Sequence, residues 1–107
     1  MSDPARDDLV FKALADGRRR HILDLLKERA RTTGELCDAL PELDRCTVMQ
    51  HLRVLETAGL LISTRDGRQR WNHLDVGPIV ELQRRWISPY ARASVALLAR
   101  LKRDLEA

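Results

Sequence analysis

The sequence predicts a mainly α-helical domain with one small β-hairpin, its elements in the order α-α-α-α-β-β-α. Three observations predict it. Apolar residues recur at three- and four-residue spacing along most of the chain. The period changes once, in "LLISTRDGRQRWNHLD", which reads as two short strands around the turn dipeptide Asp66-Gly67. The length, 107 residues, suits a single domain spanning 1–107.

Residues 1–7 are a polar lead, expected to be flexible. The first helix carries Leu9, Val10, Ala13 and Leu14. Asp16 is placed to cap a second helix, whose apolar residues are Ile22, Leu23, Leu25 and Leu26 and whose basic end, Lys27–Arg31, suits its negative pole. Thr32 and Glu35 form a capping-box pattern before Leu36, Ala39 and Leu40. Pro41 stops that short helix, and Asp44 is a good cap for the next, in which Val48, Leu52 and Leu55 make one stripe. Gly59 is a natural terminator. Residues 33–58 thus have helix-turn-helix spacing, and 60–75 add an arginine-tipped hairpin, which together predict a winged helix-turn-helix. From Pro78 to residue 106 the chain is helical again, with Pro89 expected to interrupt it.

The formal charge of +3 is mild, but its distribution is informative. Lys12, Lys27 and Lys102 are the only lysines. Arginines crowd "GRRRH" at 17–21, where Arg19 and Arg20 are expected to be structural or weakly phosphate-directed rather than base-reading, the stretch from Arg45 to Arg70, and Arg84–Arg85. The planar guanidinium fork suits phosphates and guanine edges. No run of about 18 apolar residues predicts a membrane span. The start "MSDPARDD" is no secretory signal, so cytoplasmic residence is expected. Cys37 and Cys46 make no disulfide framework.

With its apolar stripe facing inward, the second helix of the motif is left with Arg45, Cys46, Thr47, Met49, Gln50 and Arg53 outward. Major-groove readout needs a rigid helix presenting such a face, with its N-terminal part at the base edges. Arg45 suits guanine and Gln50 adenine, while Met49 and the Thr47 methyl suit a thymine methyl. Arg53 is a candidate for phosphate, His51 is read first as a half-buried histidine making one hydrogen bond and second as a phosphate contact, and Arg65, Arg68 and Arg70 on the hairpin are candidates for backbone or minor groove. The expected partner is double-stranded operator DNA read by a helix at about 45–57. Leu9, Val10, Leu14, Trp86, Tyr90, Leu97, Leu101 and Leu105 are candidates for a homodimer interface, since a monomer this small would leave a large apolar patch uncovered.

The stretches "FKALADGRRRHILDLL", "TTGELCDAL", "CTVMQHLRVLETAGLL" and "DGRQRWNHLD" resemble, in order and spacing over about residues 9 to 76, the ArsR/SmtB-type winged-helix transcriptional repressors. The resemblance implies a homodimeric, operator-binding repressor that dimerises through its first and last helices. The common metal sites of that family are not matched: Cys37 stands at the first position of a Cys-x-Cys, but Ala39 at the second, and the last helix has no histidine. No metal and no cofactor is expected, and the inducer is unknown. Met49 stands where serine is usual and Gln50 where Lys, Arg or His is common.

Two other readings remain open. Cys37 and Cys46 could form a thiol- or metalloid-responsive site, with Cys46 near a helix N-terminus beside Arg45. A winged helix can also serve as a protein-interaction module, though the basic wing argues against that. An enzyme is not expected: no nucleotide loop, carboxylate pair or metal triad appears, and His21, His51 and His73 lie on different elements.

Overall fold

A computed structural model describes residues 4–106 of the chain. Helix α1 (Pro4–Leu14) leads into α2 (Gly17–Glu28), a two-residue strand β1 (Arg31–Thr32), and the short helix α3 (Thr33–Ala39). Helix α4 (Arg45–Thr57) follows, then strands β2 (Leu61–Asp66) and β3 (Gln69–Leu74) and helix α5 (Gly77–Leu82). A π-helical turn at Gln83–Ile87 passes into α6 (Ser88–Glu106). The predicted winged helix-turn-helix is present.

The local signals do what their chemistry dictates. Asp16 accepts from the Arg18 N–H at 2.8 Å. Thr32 and Glu35 cap each other reciprocally, Glu35 N–H to Thr32 Oγ1 at 3.1 Å and Thr32 N–H to Glu35 Oε1 at 3.2 Å. Asp44 accepts from the Thr47 N–H at 2.7 Å. Gly59, at φ +78°, ends α4 in a Schellman motif, with Leu60 N–H bonded to Leu55 O and Gly59 N–H to Glu56 O, both at 3.0 Å.

The core lies where α1, α2, α3 and α4 converge on the base of the sheet. Val10, Ala13, Ile22, Leu26, Leu36, Val48, Leu52, Leu55, Leu60 and Leu82 are all buried there. The α4 stripe is thus fully used, which fixes the rotation of that helix and hence which residues it turns outward.

Four expectations change. Residues 1–3 of the predicted flexible lead lie outside the described residues, but from Pro4 onward the lead is helical, and Arg85 holds Asp7 at 3.0 Å. Helix α2 ends at Glu28, within the expected basic stretch, but just beyond it Arg31 and Thr32 pair with Asn72 and Trp71 as a third strand that was not expected, giving the sheet order β1-β3-β2. The hairpin turn is one residue later than its dipeptide suggested: Asp66 pairs with Gln69, leaving Gly67 and Arg68 as the loop. Gly67 alone has positive φ (+62°), the pattern of a type II′ turn rather than the I′ turn typical of Asp-Gly.

The fourth is Pro89, which does not break the helix. Lacking an N–H and crowding the carbonyl four residues back, proline is accommodated when the preceding turn widens. Here Ser88 N–H bonds Gln83 O, five residues back. The helix therefore runs on as α6, which has no buried residue among those described. The radius of gyration is 18.3 Å, against about 13 Å for a compact chain of this size. Helix α6 extends beyond the body, with Tyr90, Leu97, Leu98, Leu101 and Leu105 uncovered.

Candidate nucleic-acid interface

Helix α4 and the wing define the site. Arg45, Cys46, Gln50 and Arg53 are exposed on α4, as the stripe requires. Thr47 and Met49 are half-buried, and Met49 packs against the core edge. It is therefore less free to meet a thymine methyl than a fully outward side chain would be. His51 is turned inward and 8% exposed, so its ring is not presented for a phosphate. Its Nδ1 lies 3.2 Å from Arg19 Nη1, and its Nε2 is buried without a partner among the described residues. Burial in that setting lowers its pKa below the usual 6.5, the nearby Asp16 carboxylate opposing the shift and Arg19 adding to it.

A cleft of about 270 Å³ runs between α4 and the wing. Arg45 and Met49 form one wall, Arg65, Arg68, Gln69 and Arg70 the other, and Thr32, Thr33 and Gly34 close one end. Four arginines thus line one depression, a potential suited to a polyanion. They are not equivalent. Arg65 and Arg68 are exposed on the outer wing, and no ion pair among the described residues engages them. Arg70 stands directly across the hairpin from Arg65, one pair below the turn, but is held by Glu56 of α4 at 2.5 Å. It fastens the wing to the recognition helix.

A second fastening is not legible in the sequence. Asn72 is fully buried on β3, and its Nδ2 donates to Arg31 O and Thr33 Oγ1, each at 3.2 Å. It joins the wing to β1 and the start of α3. The signal is a polar residue on the inner face of an otherwise regular strand, but its partners lie 41 and 39 residues away in the chain.

Arg19 and Arg20 of "GRRRH" are placed structurally, as expected. Arg19 donates to Ala13 O at 2.9 Å and Lys12 O at 2.8 Å, and Arg20 donates to Leu14 O at 2.6 Å. Both cap the C-terminal carbonyls of α1, where cations are favoured.

The remaining candidates fall into place as follows. Cys46 is exposed in the first turn of α4, while Cys37 is half-buried on α3 against the core. Both are free thiols. No three His, Cys, Asp or Glu side chains among the described residues gather as a metal site. Of the interface candidates, Val10 is buried in the chain's own core and Leu14 packs against it, so these two serve the monomer. Leu9, Trp86, Tyr90, Leu97, Leu101 and Leu105 are exposed. Trp86 and Tyr90 meet edge-to-face with centroids 4.8 Å apart. No helix among the described residues is long and apolar enough to cross a membrane.

Comparison with known proteins agrees with this geometry. A helix-turn-helix domain family model matches residues 14–64. The uncharacterized HTH-type transcriptional regulator YuzN of Bacillus subtilis (strain 168) is 41% identical over 86 residues, covering 75% of this chain and 94% of its own. The crystal structure of Rv0081 from Mycobacterium tuberculosis is 32% identical, with a TM-score of 0.63 over 99% of this chain and 100% of the other. An ArsR-like transcriptional regulator from Rhodococcus sp. RHA1 superposes with a TM-score of 0.73 at 26% identity, over 92% of both chains. The relatives whose names state a role are transcriptional regulators.

Proposed function

Since the chain belongs to the ArsR family of winged-helix transcriptional regulators and is a DNA-binding regulator, we propose that it acts in the cytoplasm as a homodimeric repressor with α4 in the major groove. Arg45 and Gln50 read base edges, Thr47 and the exposed part of Met49 line the same surface, and Arg53 holds phosphate. Arg65 and Arg68 reach the backbone or the adjacent minor groove. The observation that carries this reading is the exposed Arg45–Gln50 face of α4 beside a cleft walled by four arginines.

The dimer rests on α6. A stripe of exposed Tyr90, Leu97, Leu101 and Leu105 that no other element among the described residues covers is costly in water, and a second copy removes it. Two copies would present two α4 helices to half-sites about one helical turn apart. Selection of bound sequences from a random DNA pool tests the whole reading. Enrichment of palindromic sites with that spacing supports it, and failure to enrich any motif sinks it.

A further inference from the structure

Lys12 lies in the last turn of α1, a helix that the sequence assigned to dimerisation alone. The structure puts it beside the recognition helix. Leu9 and Lys12 face Gln50, Arg53, Val54 and Thr57 of α4 across an open groove of about 280 Å³. No acidic residue lines it. Lys12 and Arg53 are both exposed, and among the described residues neither side chain has an ion pair or hydrogen bond. Two like charges that share a groove without a counter-ion repel each other, and an anion between them relieves that cost.

The position of Lys12 is enforced. Arg19 donates to the Lys12 carbonyl at 2.8 Å and to the Ala13 carbonyl at 2.9 Å, and the same guanidinium reaches His51 of α4 at 3.2 Å. The end of α1 is therefore pinned to α4, which gives part of the "GRRRH" motif a purpose beyond helix capping. The groove also shares Gln50 with the outward face of α4, so a duplex docked on that face passes its mouth.

We propose that this groove seats a backbone phosphate of the operator between Lys12 and Arg53, so that α1 is itself part of the DNA interface. The inference rests on α4 being the DNA-facing helix. A phosphate fits better than a small apolar carboxylate for two reasons. The groove is open to solvent rather than enclosing, and it shares Gln50 with the base-reading face.

The test uses the full chain, with the selected operator and a random duplex of equal length, in anisotropy titrations from about 50 to about 300 mM salt. Lys12→Ala should weaken binding to both duplexes alike and reduce the slope of log affinity against log salt by about 0.9 per subunit. Lys12→Arg should restore it. Lys27→Ala removes the same charge from the end of α2 and should leave the slope alone. Matching melting temperatures show that the variants are folded. A wild-type slope in Lys12→Ala, or an equal fall in Lys27→Ala, overturns the proposal. So does an unchanged slope in Lys12→Ala combined with octanoate displacing DNA from the wild type and not from Lys12→Ala, which gives the groove to a carboxylate. If Arg45→Ala weakens binding while Lys12→Ala does not, only this inference fails. If the wild type binds no duplex, the base-reading proposal fails with it.

Discussion

Arg19→Ala is the substitution most informative about how the recognition helix is held. The Arg19 side chain is 13% exposed and makes three directed interactions, with Ala13 O at 2.9 Å, Lys12 O at 2.8 Å and His51 Nδ1 at 3.2 Å. Hydrogen bonds from a charged donor contribute about 1.5–3 kcal/mol each. Truncation lets water reach the two freed carbonyls at the end of α1, so the sum must be discounted, to about 2–4 kcal/mol. The unfolding entropy of 107 residues is about 0.2 kcal/mol/K, which turns that loss into a fall of about 9–18 °C in melting temperature. Thermal melts followed by circular dichroism measure it, with protomer concentration held fixed because the proposed dimerisation would shift the midpoint. Arg18→Ala is the control. Arg18 is an exposed cation at the positive end of α2, and its loss should change stability by no more than about 0.5 kcal/mol. A fall in Arg19→Ala no larger than in Arg18→Ala would refute the assignment of Arg19 as the tie between α1, α2 and α4.

Two further outcomes follow from the site. Arg65→Ala and Arg68→Ala should each reduce the salt slope of DNA binding by about 0.9 for every phosphate the arginine neutralises, whereas Arg70→Ala should reduce it less, because Glu56 already neutralises that guanidinium. Equal slopes for all three would return Arg70 to the DNA. His51 has a folded pKa below its unfolded 6.5, chiefly through burial, so its neutral form contributes stability that is fully present above pH 6.5 and lost as pH falls through the folded value. Melts across that window should show a shallower pH dependence in His51→Gln than in the wild type, and parallel curves would show that His51 is not the group responsible.

What was legible in the sequence was local. The caps at Asp16, Thr32–Glu35 and Asp44 and the terminator at Gly59 each act within a few residues, so residue type at the right spacing was enough to find them. The α4 stripe was legible because one period decides a whole helix face. What was not legible was long-range. Strand β1 exists because Arg31 and Thr32 meet β3 some forty residues on, and two residues carry no period. A half-buried His51 was legible, but its partner Arg19, which arrives from α2 and lies 32 residues away in the chain, was not. Pro89 misled because the rule that proline stops a helix assumes regular i→i−4 bonding, and the π-helical turn before it removes that assumption.

The arginines pose the same problem in its sharpest form. In the sequence, Arg19, Arg45, Arg53, Arg65, Arg68 and Arg70 are chemically identical, and their clustering invites one role for all. Pairing separates them. Arg19 and Arg70 use their donors inside the protein, on carbonyls of α1, on His51 and on Glu56. Arg45, Arg53, Arg65 and Arg68 have no such partner among the described residues, and all four are exposed around α4 and the wing. A guanidinium already satisfied must give up a bond to take a phosphate, so its net gain from DNA is small. An unsatisfied one loses only water. The paired arginines therefore orient the recognition helix and the wing, and under the proposed function the unpaired ones are those left to meet the duplex. That division extends to Lys12, which is unpaired, held in place by a paired arginine, and on the same side.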